Sequence, residues 1–256
     1  MKTLFLAWQD SISRGWFPVG RLIYENNCYE FVYLKGAKVA KDKCGFSGIW
    51  SLEELNAVYR SRELLPVFSH RIMPRSRPDY PDFIRWQNLS QNEDNPLILL
   101  SRSGGKKVTD NYEVFPYPER DKNGFYHLYF FLRGLRYMPP ENNDRIKKLE
   151  VGESLYFLHD SQNDFDFNAL MLRTKDFYLL GFCPRYLDVF PLLQNNSKLV
   201  EVKVEVKVEV KVERINLPPA PLSMRVLCHL IVKDDNYRPF SSPMYEPLAV
   251  PVAVEN

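Results

Sequence analysis

Residues 163–170 read "NDFDFNAL". Two Asp, two Asn and two Phe share eight positions. Polar density of this kind marks a loop, and loops ordinarily keep Phe out. The flanks sharpen the puzzle. "SLYFLHD" (154–160) before it and "ALMLRTK" (169–175) after it are β-rich runs, so the stretch reads as a loop between two strands.

Outward from that loop the β pattern continues. "FYHLYFFLRGL" (125–135) and "FYLLGFCP" (177–184) read as strands, and "NNDRIKKLEVGES" (142–154) as a short helix ending near Gly152. "PRYLDVFPLLQ" (184–194) reads as a helical turn. From Val200 to Glu213, Val alternates with Glu or Lys in a strict period of two, the cleanest strand signal in the chain. With "SMRVLCHLIVK" (223–233) it predicts a long hairpin. Its charges cancel in turn, which suits a strand lengthened by repeat expansion, without a binding role. A slip of four residues would restore every contact.

The chain has 256 residues, 45% apolar and 26% charged, which fits a globular protein with a sizeable core. A net charge of +2 excludes a strongly basic tail and leaves local basic patches open. The start, "MKTLFLAWQD", is too short for a signal h-region. No apolar run approaches the roughly 18 residues of a membrane span. A soluble, cytoplasmic protein is expected. Cys28, Cys44, Cys183 and Cys228 form no Cys-x-x-Cys pair and the four His complete no zinc pattern, so neither metal nor cofactor is expected.

The N-terminal region predicts strands at "TLFLAW", "GRLIYE" and "CYEFVYL", broken at Pro18-Val19-Gly20 and Asn26-Asn27. Ser51 followed by Glu54 and apolar Leu52, Leu55 and Val58 predicts a capped helix. In residues 59–86 several Arg alternate with aromatics and Pro. Arg71, Arg75 and Arg77 there either contact phosphates or staple the fold through carboxylates and carbonyls. "SRSGGKK" (101–107) either cradles a phosphate, with Lys106 and Lys107, or turns a hairpin. "YPERDKNG" (117–124) marks a boundary. The division expected is 1–118, an N-terminal β-rich domain; 119–234, a second domain; and 235–256, a Pro-rich tail.

Gly134-Leu135-Arg136-Tyr137, the Gly152 turn, the core Asn163-x-Phe165-Asp166-x-Asn168-Ala169 and Leu180-Gly181-Phe182 recur in an order that resembles the HIRAN domain. That domain occurs alone in bacteria and at the N-terminus of fork-remodelling helicases. The resemblance covers about 120–234. It implies a mainly β fold with short helices (α+β), built on an OB-like six-stranded β-barrel beside a small N-terminal sheet-and-helix domain. It also implies capture of the 3′ end of single-stranded DNA, in DNA repair or genome defence, without catalysis. Arg136 and Tyr137 would line the pocket on one strand, Asn163, Phe165 and Asp166 on the neighbouring loop, and Phe182 and Arg185 at a strand-to-helix turn. The chain departs from the family at Phe165, often Tyr, at Met138, an aromatic elsewhere, and at Phe182, commonly His.

The residue chemistry gives independent reasons. A carboxylate such as Asp166 accepts a terminal hydroxyl's hydrogen bond and repels an internal phosphodiester. Phe165 or Tyr137 stacks on a base, and an Arg grips phosphate. Asn168-Ala169 read more simply as a structural pair at a strand edge, and Asp160 as a turn residue.

Residues 19–34 also resemble the small β-rich N-terminal subdomain of HipA-type kinases, through Phe31-Val32-Tyr33, but no kinase catalytic loop follows. The rival functions are therefore a protein-interaction or regulatory module built on that subdomain, and a nuclease using His127, His159 and Asp160. The spread of acids does not suggest a two-metal site.

Overall fold

The structure, a computed structural model, describes residues 3–187, 189, 192–193, 207–235 and 237–249. It is mainly β, with short helices. Contacts group the chain into two compact units: residues 1–75, 94–117 and 240–256, and residues 76–93 with 118–239. The units are thus not contiguous in sequence, unlike the simple division at 118 that the sequence suggests.

The first unit holds an antiparallel five-stranded sheet in the order β4-β3-β2-β1-β5. Its strands are β1 (Thr3–Gln9), β2 (Trp16–Glu25), β3 (Cys28–Tyr33), β4 (Val58–Ser61) and β5 (Tyr112–Pro116). Asn26 and Asn27 both take positive φ, +50° and +59°, which is what a two-residue turn between right-twisted strands demands. Leu4, Leu6, Leu22, Phe31, Phe68 and Leu100 bury completely in the core of this unit.

The capped helix expected from Ser51 is absent. Ser51 has φ +76°, and residues 51–57 form a loop leading into β4. The buried Tyr33 hydroxyl decides this. It donates to Leu52 O at 2.6 Å and accepts from Ile49 N–H at 2.8 Å. These bonds tie the loop to the core, so tertiary satisfaction of a buried hydroxyl overrides a local helix signal. Burial pushes the Tyr33 phenol above its ordinary pKa. The Gly-Gly of "SRSGGKK" does not turn a hairpin. Gly104, at φ +74°, caps the helix Pro96–Ser103 by donating to Leu100 O, as a left-handed C-terminal Gly does.

The second unit holds a six-stranded sheet in the order β6-β11-β10-β7-β8-β9, antiparallel throughout. The strands are β6 (Tyr126–Phe131), β7 (Ser154–His159), β8 (Leu170–Arg173), β9 (Leu179–Phe182), β10 (Lys207–Ile215) and β11 (Val226–Lys233). Period two governs it: Leu128, Phe130, Cys228, Leu230, Val210 and Val212 face inward and bury. The described part of the Val-rich tract is β10, its Val inward and its Glu209 and Lys211 paired at 2.8 Å on the other face. Residues 200–206, and residues 188, 190, 191 and 194 of the turn expected at 184–194, lie outside the described residues. The helix expected over 142–152 occupies Pro140–Lys147. It stops early because Gly152 N–H donates to Val212 O and Val212 N–H to Glu153 O, drawing residues 152–153 into the sheet. At Val212/Arg214 a bulge turns β10, and Asn216 beyond it donates to Trp86 O at 2.8 Å and Met224 O at 2.7 Å. Those bonds hold segment 76–93 to this unit.

An isolated antiparallel bridge joins Arg133, just past β6, to Phe182 at the end of β9. Both N–H···O distances are 2.8 Å. The first and last strands of the sheet therefore meet, and at that point the sheet closes on itself. Gly181 permits the closure. Its φ is +152°, and a Cβ there would lie 2.6 Å from Arg133 O, closer than any side chain tolerates.

Candidate nucleic-acid interface

The opening stretch is the loop between β7 and β8, and its polar side chains fold it. Asn163 Oδ1 accepts from the N–H of both Phe165 and Asp166 at 3.1 Å, and its Nδ2 donates to Asp160 Oδ2. Asp166 Oδ1 accepts from Asn168 N–H. Backbone bonds from Asp160 N–H to Ala169 O and from Ala169 N–H to Asp166 O close the base. Such local side-chain caps substitute for ladder bonds. With the polar atoms turned onto the backbone, the two Phe have nowhere to go but outward: Phe165 is 64% and Phe167 74% exposed. That is why acids and aromatics alternate here.

Beneath Phe165 stands Arg185. Its Nε lies 3.4 Å from Asp166 Oδ2, and its Nη2 donates to Phe165 O at 3.0 Å. Both Asp166 oxygens therefore have partners, although a carboxylate has lone pairs for more.

Across the closure lie Arg136 and Tyr137. They do not sit on a strand, as expected, but in a 3-10 turn, Leu135–Tyr137. Gly134 at φ +72° ends the extended backbone, and Pro139 and Pro140 follow. Arg136 donates to the Tyr137 hydroxyl, its guanidinium 4.7 Å from the ring centroid. Tyr137 is 68% exposed. A Cβ added at Gly134 would meet Phe182 at 3.0 Å and Tyr137 at 3.7 Å, so both rings crowd over this glycine. Phe182 thus adjoins Tyr137, and Arg185, three residues on, contacts Asp166 and Phe165 O. The seven residues named for the pocket form two groups joined by this short segment.

The five basic residues named as possible phosphate contacts are scattered. Arg71, Arg75, Lys106 and Lys107 belong to the first unit and Arg77 to the second. Arg71 is a staple: its side chain is 3% exposed, forked onto Asp110 at 2.6 and 3.0 Å, and bonded to Val67 O and Gly105 O. Its guanidinium has no open face for a phosphate. Lys106 pairs with Glu113 at 2.9 Å. Arg77 grips Asp79 with two bonds and holds that carboxyl below its ordinary pKa. Arg75 and Lys107 are exposed. The residues named for a nuclease are dispersed too. His127 on β6 bonds His229 on β11 and Asp121 in the loop before β6, while His159 bonds Phe167 O. Among the described residues no group of three His, Cys, Asp or Glu could hold a metal.

Sequence reasoning missed a further set of exposed aromatics. Among the described residues, eight of the thirteen large exposed hydrophobics fall between Tyr137 and Tyr178. Such clustering marks a surface with a use. Phe167, Tyr156 and Phe177 are among them. The period of two in "SLYFLH" already puts Tyr156 and Leu158 on one face. The same unit carries an open cleft of about 910 Å³, lined by Glu141, Asp144, Arg145, Glu153, Asp176 and others. It is acidic, and Arg145 bonds Asp176 at 2.9 Å and also Glu153. Hydrogen bonding to Arg145 lowers the Asp176 carboxyl to about 2. An acidic mouth repels a polyanion, so size alone does not make this cleft the interface.

Residues 125–233 match the family model of the HIRAN domain. No curated protein matches the chain. Two solved structures are similar: a protein from Lactobacillus plantarum, at 18% identity over 43% of this chain and 97% of that one, TM-score 0.32; and the HIRAN domain of human HLTF, at 15% identity over 44% and 81%, TM-score 0.31. The family match supports nucleic-acid binding by this region. It does not extend to residues 19–34, and the HipA-type resemblance there gains no support. No helix among the described residues is long and apolar enough to cross a membrane.

Proposed function

We propose that residues 125–233 bind single-stranded DNA and hold its 3′ end without cutting it. The observation that carries this reading is the loop of residues 160–169. It presents Phe165 and Phe167 to solvent on the loop that carries the Asp166–Arg185 pair, with Arg133, just before the Arg136–Tyr137 turn, bridged to Phe182 at the barrel closure. Two aromatic faces stack on the last bases, Asp166 accepts the terminal 3′-hydroxyl, and Arg136 and Arg185 take the adjoining phosphate. Stacking and an ion-pair-tethered carboxylate recognise an end and require no metal.

Fluorescence anisotropy with labelled oligonucleotides tests this. Single strands should bind better than blunt duplexes, with an affinity that falls as salt rises. Phe165→Ala should weaken binding by ~1–3 kcal/mol, the usual worth of one stacked base. Equal binding of single strands by wild type and Phe165→Ala would overturn the reading.

A further inference from the structure

The turn between β8 and β9 carries a feature that neither the pocket nor the fold explains. Phe177 takes φ +68°. Thr174 organises the turn, its O accepting from Phe177 N–H and its Oγ1 from Tyr178 N–H. A left-handed position in a tight turn favours Gly or Asn, and a bulky aromatic there is strained. Yet Phe177 is 75% exposed, so burial does not compensate for the strain. It instead stacks on Arg173, whose guanidinium lies 4.6 Å from the Phe177 ring centroid and 5.0 Å from that of Tyr156. Two open rings and one guanidinium form a layered surface. Strain at an exposed residue points to a task.

That stack lies on the same sheet face as Phe182. Directly paired residues on antiparallel strands share a face. Phe182 pairs with Met171 and Met171 with Leu158; two residues along, Arg173 pairs with Tyr156. One sheet face therefore carries Phe182, Met171, Leu158, Tyr156 and Arg173; Met171 is buried on it, Leu158 and Tyr156 are exposed, and Phe177 stacks on Arg173 at its end. The two rows are about 7 Å apart along β8. Tyr156 borders a cleft that it shares with Glu153 and Asp176, but Arg145 pairs with both carboxylates and Lys175 is exposed, so the acids there are offset.

We propose that the Tyr156–Arg173–Phe177 stack is a second base-stacking platform, which receives the nucleotides of a single strand on the 5′ side of the end held in the pocket. The proposal rests on the end-binding reading above and extends it. A single strand fits better than a folded protein partner. Every base offers a face to stacking side chains, the Arg is already arranged as a stacking plane, and the stack shares a sheet face with Phe182 of the strand-end site.

Two oligonucleotides with free 3′-hydroxyls test it: a dinucleotide that fills only the pocket, and one of about ten nucleotides that reaches the platform. The longer strand should bind wild type more tightly. Tyr156→Ala and Phe177→Gly should each weaken the longer strand by roughly tenfold and leave the dinucleotide unchanged, whereas Phe165→Ala weakens both. Phe177→Gly relieves the left-handed strain and should raise the melting temperature, so its loss of binding cannot be a loss of folding. If both platform variants keep the full advantage of length, the platform is overturned and the pocket stands. If wild type binds neither strand, pocket and platform fall together.

Discussion

At the scale of single residues, the same side chain can fold a loop and hold a ligand, and Asp166 is the test case. Asp166→Asn keeps the acceptor for Asn168 N–H and removes the charge that faces Arg185. It should weaken 3′-hydroxyl ends by ~1.5–3 kcal/mol and leave 3′-phosphate ends unchanged or tighter. Generic electrostatics would instead tighten all DNA alike. Arg71 makes the opposite case. Arg71→Gln removes one side of a largely buried fork and should cost roughly 2–3 kcal/mol of stability in urea denaturation, with no change in the salt slope of DNA binding. A flattened slope would return Arg71 to the binding surface. That "NDFDFNAL" is a loop was legible from its polar density; that Asn163 and Asp166 cap its backbone was not, because the same side chains suit a ligand equally well. Phe177 was not legible. Within "FYLLGF" it reads as the first residue of a strand, and only the backbone reveals its left-handed turn.

At the scale of elements, β1 to β3 and the strands of the second unit were legible; β4, β5 and the helix Pro96–Ser103 were not, and the helix read from Ser51 is a loop. Alternation in β6, β7, β10 and β11 is enforced by one buried face, so the sequence must carry it. The helix expected from Ser51 fails because the Tyr33 hydroxyl, eighteen positions earlier in the chain, claims the loop, and such a claim has no period. The closure of the second sheet is likewise a single bridge, with Gly181 its one trace. Gly181→Ala forces a Cβ against Arg133 O and should destabilise by about 2 kcal/mol or more. Hydrogen exchange should quicken at the amides of Arg133 and Phe182. The helix Pro140–Lys147 is joined to the β8–β9 turn through Arg145 and Asp176. Because the folded Asp176 carboxyl titrates near 2, below its ordinary value, its contribution to stability is present above about pH 4 and is lost as pH falls toward 2. Asp176→Asn should be less stable than wild type at neutral pH, and the difference should vanish near pH 2 in acid titrations of unfolding. A difference unchanged at pH 2 would mean the ion pair is not its source.

At the scale of the whole molecule, the sequence suggests a cut near 118, and the chain instead interleaves its two units. Segment 76–93 joins the second unit through Asn216 and through Asn88, which bonds Glu213 and Arg214. Residues 240–249 join the first, where Leu248 N–H donates to Tyr33 O and Phe240 packs on Phe5 and Phe115. A few amide bonds and one aromatic leave no pattern in composition. Asn216→Ala in the full chain should therefore quicken hydrogen exchange across Tyr80–Trp86; an unchanged helix would mean that other contacts hold the segment.

The central claim is that the second unit recognises a strand end. Its most direct test is the wild-type affinity for two single strands of one sequence, one ending in a 3′-hydroxyl and the other in a 3′-phosphate, measured by anisotropy at the same salt. The hydroxyl end should bind more tightly, by roughly tenfold for one charge-assisted hydrogen bond. Equal affinities would contradict the claim and leave a surface that binds single strands without reading their ends.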